Sequence, residues 1–127
     1  MSYEIDTLDI TLKAAGDLSL YQYHFVKMSA DNTVDVAGAG ETAIGILQNK
    51  PSVAGQAARV RVLGASRIVA GETLAYGVYV ESGALGVGAV AAHDTDPYSG
   101  VVIEGSGTFS ATEVAVVLLF GPHTLSV

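Results

Sequence analysis

The sequence predicts an all-β fold, a small β-sandwich or partly open β-barrel of short strands with an N-terminal arm or edge strand, and three observations predict it. First, 50% of the 127 residues are hydrophobic, 15 are Gly and none is Trp. Val and Ala supply much of the aliphatic content, which suits short strands and tight turns around a core of small side chains. Second, clusters of Gly, Asn, Asp and Pro punctuate the chain at short intervals and leave roughly nine segments of strand length. Third, no stretch sustains helical periodicity over three turns; Asp17 to Tyr21 and Ala70 to Tyr76 have room for a short helical turn only.

From Thr7 to Lys13 the residues alternate, with Leu8, Ile10 and Leu12 on one side and Thr7, Asp9, Thr11 and Lys13 on the other, the pattern of a strand with one buried face. A polar start (Met1 to Asp6), expected to be disordered in the free protein, precedes it, and Ala14-Ala15-Gly16-Asp17 follows as a break. Residues 1–15 therefore read as an arm or as strand one, and residues 16–127 as the β domain.

Tyr21 to Ser29 is rich in aromatic and β-branched residues and ends at Ala30-Asp31-Asn32, a turn from which Thr33 to Ala37 returns. Ala43 to Gln48 is the next strand. Ala58 to Leu63 places Ala58, Val60 and Val62 inward with Arg59 and Arg61 outward, and Ser66 to Ala70 follows Gly64 as a hairpin or strand bend. Tyr76 to Glu81 and Val101 to Glu104 are further strands, whereas Ser82 to Ala92 is too weakly patterned to assign. Val114 to Phe120 (VAVVLLF) is a continuous apolar run, expected to form a central strand buried on both faces.

The formal charge is −7, from 13 acidic and 6 basic residues, and the basic ones form no cluster. Nucleic acid would be repelled at long range, so it is not an expected partner. With no Cys, disulfides and thiolate metal sites are excluded. No charged-then-apolar leader opens the chain and Val114 to Phe120 is too short to span a bilayer as a helix, so a soluble protein made in a cytoplasm, without a membrane partner, is expected.

The sequence carries few groups that point to chemistry. His24, His93 and His123 lie far apart, and the one cation candidate, His93 with Asp94 and Asp96, reads more simply as an Asp-rich turn before Pro97. Gly38-Ala39-Gly40-Glu41-Thr42 lacks the strand, helix and Lys of a phosphate cradle. Ser99-Gly100 and Gly105-Ser106-Gly107 lack the spacing of a nucleophile elbow. Glu41, Glu72, Glu81, Glu104 and Glu113 each flank a turn residue and are expected in solvated loops. The expectation is a binding protein that is not an enzyme, with no cofactor, no metal and no small-molecule substrate. The alternatives are a β-sandwich recognition module for host carbohydrate, disfavoured by absent Trp and scattered Tyr, and a trimeric β enzyme.

Two stretches carry a resemblance. One is Ala43-Ile44-Gly45-Ile46-Leu47-Gln48-Asn49-Lys50-Pro51, then Ala54-Gly55-Gln56 through Ala58-Arg59-Val60-Arg61-Val62-Leu63-Gly64, then Val69-Ala70-Gly71-Glu72-Thr73-Leu74. The other is Ile10-Thr11-Leu12-Lys13-Ala14-Ala15-Gly16-Asp17-Leu18-Ser19 followed by Tyr23 to Val34. Over residues 8 to 75 this succession resembles the capsid decoration, or cement, proteins of tailed bacteriophages. The resemblance implies a β-rich, non-enzymatic homotrimer on the outer capsid surface of the virion, at three-fold and quasi-three-fold positions. There it would clamp neighbouring subunits of the major capsid protein lattice and stabilise the head. Residues 82–92 and 98–112 depart from the pattern. If the N-terminal segment is an arm that adds to a capsid sheet, Leu8, Ile10 and Leu12, with Tyr3 and Ile5 ahead of them, are its capsid-binding residues.

Overall fold

Alternating aliphatic and polar residues, cut by turn residues, set out nine strands among residues 7–91, 97–105 and 114–124, which a computed structural model of the chain describes. They are β1 (Leu8–Ala14), β2 (Phe25–Ala30), β3 (Thr33–Val36), β4 (Gly45–Leu47), β5 (Ala57–Val69), β6 (Tyr79–Ser82), β7 (Gly88–Val90), β8 (Pro97–Glu104) and β9 (Val114–Thr124). A single 3-10 turn, Ala84–Gly86, lies between β6 and β7.

The strand order is β1-β3-β2-β4-β5-β9-β8-β6-β7, and β1 also pairs with β5. That extra pairing closes the first five strands into a barrel. The seam is antiparallel, with Ile10 opposite Val60, Leu12 opposite Ala58 and Lys13 opposite Ala57. On its other side β1 runs parallel to β3, paired at Lys13↔Thr33 and Ala14↔Val34. The fold is all-β, a closed barrel extended by a second sheet.

The two sheets are joined within one strand. β5 is a continuous 13-residue strand that bends where the sequence places Gly64. Gly64 adopts φ 97°, which an L side chain would disfavour. Before it, β5 belongs to the barrel; from Gly64 to Val69 it pairs with Leu119 to Val114 of β9.

Each body has its own core. Ala14, Leu18, Val26, Val34, Leu47, Ala58 and Val60 form one buried cluster, inside the barrel. Phe25 and Ile46, paired across β2 and β4, turn away from it into a second cluster with Ile68, Leu74, Val80, Val102, Ala115, Val117 and Leu119. The second sheet thus packs one face on the barrel wall, and period-two alternation lets β2 and β4 serve both cores.

Several boundaries differ from expectation. β2 starts at Phe25, not Tyr21, because the Tyr21 and His24 amides donate to Leu18 and Tyr21 carbonyls in successive turns and Tyr23 takes φ 66°. β6 starts at Tyr79, after a turn closed by Val78 N–H to the Ala75 carbonyl. The unassigned stretch 82–92 supplies the 3-10 turn and β7, whose residues are too small to show a pattern. Glu81, expected in a solvated loop, is 8% exposed within β6.

Candidate docking surfaces

The apolar run in β9 lies centrally, between β5 and β8, as its composition predicts, but only one of its faces is covered. Ala115, Val117 and Leu119 are buried in the core between the sheets, while Val114 and Leu118 remain 43% and 38% exposed. The expectation of burial on both faces is corrected: a two-sided apolar strand here has one protein side and one open side. The register carries this across the sheet. Ala65 of β5, Leu118 of β9, Val101 of β8 and Tyr79 of β6 stand in one row on the open side. Ile103, in a bulge of β8, is also exposed.

Aromatic rings end this face. Tyr79 and Tyr98 lie 4.9 Å apart between ring centroids, and Phe120 meets both nearly edge-on at 6.3 and 5.9 Å. Edge-to-face packing holds the rings in a fixed relief, which favours recognition because little side-chain freedom remains to be lost on contact. The sequence signal for the whole face was the absence of polar alternation in VAVVLLF, which periodicity alone assigns to burial within the chain.

The second surface is β1. Leu8 and Ile10 are exposed on it, whereas Leu12 packs against the barrel core. A register shift between Leu8 and Asp9 places Leu8 opposite Leu63, itself 45% exposed, so two leucines adjoin on the barrel surface. One edge of β1 is bonded to β5; on the other, β3 pairs only as far back as Lys13. Between Leu8 and Leu12 that edge has no strand partner among the described residues. Tyr3 and Ile5 lie outside the described residues.

Arg59 and Arg61, outward as the pattern predicts, clamp Asp9 of the seam. Arg61 Nε and Asp9 Oδ1 are 2.8 Å apart, and Arg59 Nε is 3.6 Å from Oδ2. The Arg61 hydrogen bond, aided by the charges of both guanidiniums, holds the Asp9 carboxyl below its ordinary range despite partial burial.

The remaining polar groups have local structural partners. His24 Nδ1 shares a 2.7 Å hydrogen bond with the Leu85 carbonyl, tying β2 to the 3-10 turn. Glu41 accepts hydrogen bonds from Lys27 Nζ at 2.8 Å and from Gly38 N–H at 2.6 Å, which lower its pKa and staple the Gly-rich loop to β2. Ser99 is buried and directs its Oγ to the Ala43 carbonyl at 3.4 Å. His93, Asp94, Asp96, Ser106 and Glu113 lie outside the described residues. Among the described residues no group of three His, Cys, Asp or Glu is placed to hold a metal ion, and no helix is long and apolar enough to cross a membrane.

Neither a protein-family model nor a curated protein matches the chain. Among solved structures it is similar to the N base of the head fiber gp8.5 of bacteriophage phi29. That likeness has a TM-score of 0.66 at 13% sequence identity and covers 93% of this chain and 98% of that one. It spans the barrel and the second sheet together and establishes that the combination is a fold in its own right.

Proposed function

We propose that this chain is a structural decoration protein of a tailed-phage head. It is a homotrimer on the outer capsid surface, at three-fold and quasi-three-fold sites, where it clamps neighbouring major capsid subunits. The observation that carries the reading is the end-to-end likeness to the base of a phage head fiber. The resemblance of residues 8 to 75 to cement proteins supports the same reading. The two exposed apolar surfaces give the reading its physical means: one for joining copies, the other for gripping the shell.

The grip is assigned to β1. Its unpaired edge from Leu8 to Leu12 offers backbone groups to a capsid strand, and Leu8 and Ile10 supply apolar contact beside them. Tyr3 and Ile5, which precede them in sequence and lie outside the described residues, are assigned to the same capsid contact, whereas Leu12 packs β1 against the barrel core. Each grip is small, but three on one trimer engage a three-fold site together, and effective concentration multiplies them.

Cosedimentation with expanded heads that lack the protein tests the reading. Saturable binding approaching three copies per local three-fold is expected, with heads resisting higher temperature once covered. Failure to bind such heads would overturn it.

A further inference from the structure

We infer that the open face of the second sheet is where copies of this chain meet, with Arg67 of one copy against Glu104 of the next around a three-fold axis. The three-fold stoichiometry rests on the function proposed above; the choice of face and of partner rests on the charges of the face itself.

Strands β5, β9 and β8 place Arg67, Val116 and Glu104 in one row, since Val116 pairs with both. Two strand spacings, about 10 Å, separate the opposite charges. Both residues are exposed, and neither has an ion-pair partner among the described residues. Arg67 only stands 6.0 Å from the Tyr23 ring centroid, on the flank of the sheet. Around them the face is apolar: Val114, Leu118, Ile103 and Tyr79 are all more than a third exposed.

This arrangement selects a second copy as the occupant. Chains of formal charge −7 repel one another, so a face free of net charge is where copies approach at least cost. The open face meets this condition, since its exposed charges among the described residues are one positive and one negative. They sit on either side of β9, Arg67 on β5 and Glu104 on β8, so a head-to-tail arrangement puts Arg67 of each copy beside Glu104 of its neighbour. Three such junctions close a ring with the β9 row of Val114, Val116 and Leu118 toward the axis. Closure pairs both charges and covers the apolar row that the barrel does not.

The test is the mass of the free full-length chain, without capsids, by sedimentation equilibrium. Wild type should be trimeric, and Leu118→Arg should give a folded monomer by circular dichroism, because Leu118 points to the open face and lies outside the buried core clusters. Val114→Arg serves equally if Leu118→Arg does not fold. Arg67→Glu should weaken the trimer by tenfold or more in concentration, and Arg67→Glu with Glu104→Arg should restore it, which general destabilisation would not do. A monomeric wild type, a trimer that survives both arginine substitutions, or a double swap no better than Arg67→Glu alone would overturn the inference. Head binding by a monomer would sink this interface and the trimer with it while leaving the head-decorating role standing; a trimer through this face that ignores heads would sink that role and leave the interface standing.

Discussion

Asp9 and Arg61 face each other across the seam that closes the barrel, paired in the β1–β5 register and joined by a bidentate contact of 2.8 and 3.1 Å. Part-burial of this pair makes it stronger than a surface ion pair, and it fixes the register of the strand assigned to the capsid grip.

Asp9→Asn removes the charge while keeping the shape. A loss of about 1 to 3 kcal/mol is expected in urea unfolding at neutral pH, in line with hydrogen bonds to charged groups. The pH dependence has a definite sign. Because the folded pKa of Asp9 lies below the ordinary 3.8, its contribution is fully present above that value and is lost as pH falls through the folded pKa. Wild type should therefore lose more stability than Asp9→Asn on acidification below about pH 4.

Gly45 is where β4 and β5 approach most closely. A Cβ there would clash with the Arg61 carbonyl oxygen and meet Val60 Cγ1 at 2.8 Å, and the first is backbone that cannot rotate away. Gly45→Ala should destabilise by about 2 kcal/mol or more through overpacking, or give insoluble protein. Gly55→Ala meets nothing within 4 Å but requires φ 87°, so a smaller loss, about 1 kcal/mol, is expected by the same denaturation assay.

Phe25 and Gln48 both lie where the second sheet meets the barrel wall. Phe25 is fully buried between barrel and second sheet, so Phe25→Ala should cost about 3 to 5 kcal/mol and uncouple the sheet. Gln48, 7% exposed, donates from Nε2 to Ser66 Oγ at 2.9 Å and to the Ile46 carbonyl at 3.1 Å. Ser66→Ala should cost about 1 kcal/mol, since Gln48 keeps its second acceptor.

On β1, exposure separates docking from folding. Leu8→Ser with Ile10→Ser should change the melting temperature little and reduce head binding at least tenfold. Leu12→Ser should instead lower the melting temperature, because Leu12 packs against the barrel core.

The fold class was legible because strand patterns and turn residues are local. Thr7 to Lys13 and Ala58 to Val62 alternate cleanly, and those two segments form the seam itself. What was hidden is non-local. Whether Thr7 to Lys13 paired at home or reached outward depends on β5, some fifty residues on, and alternation reads the same either way. The turn at Tyr21 to His24 was masked by residues with high strand propensity, which a local turn bond to the Leu18 carbonyl and a tertiary one from Tyr23 N–H to the Leu47 carbonyl override. The open face was hidden most completely, since Val114, Val116 and Leu118 carry an apolar signal that does not say whether the covering surface belongs to the same chain.

Cryo-electron microscopy of expanded heads saturated with the full-length chain tests the decoration role most directly. The expected result is a three-lobed density over each local three-fold, with β1 toward the shell and the β9 rows facing the axis. Bare three-folds under saturating protein, with any bound density confined elsewhere, would contradict it.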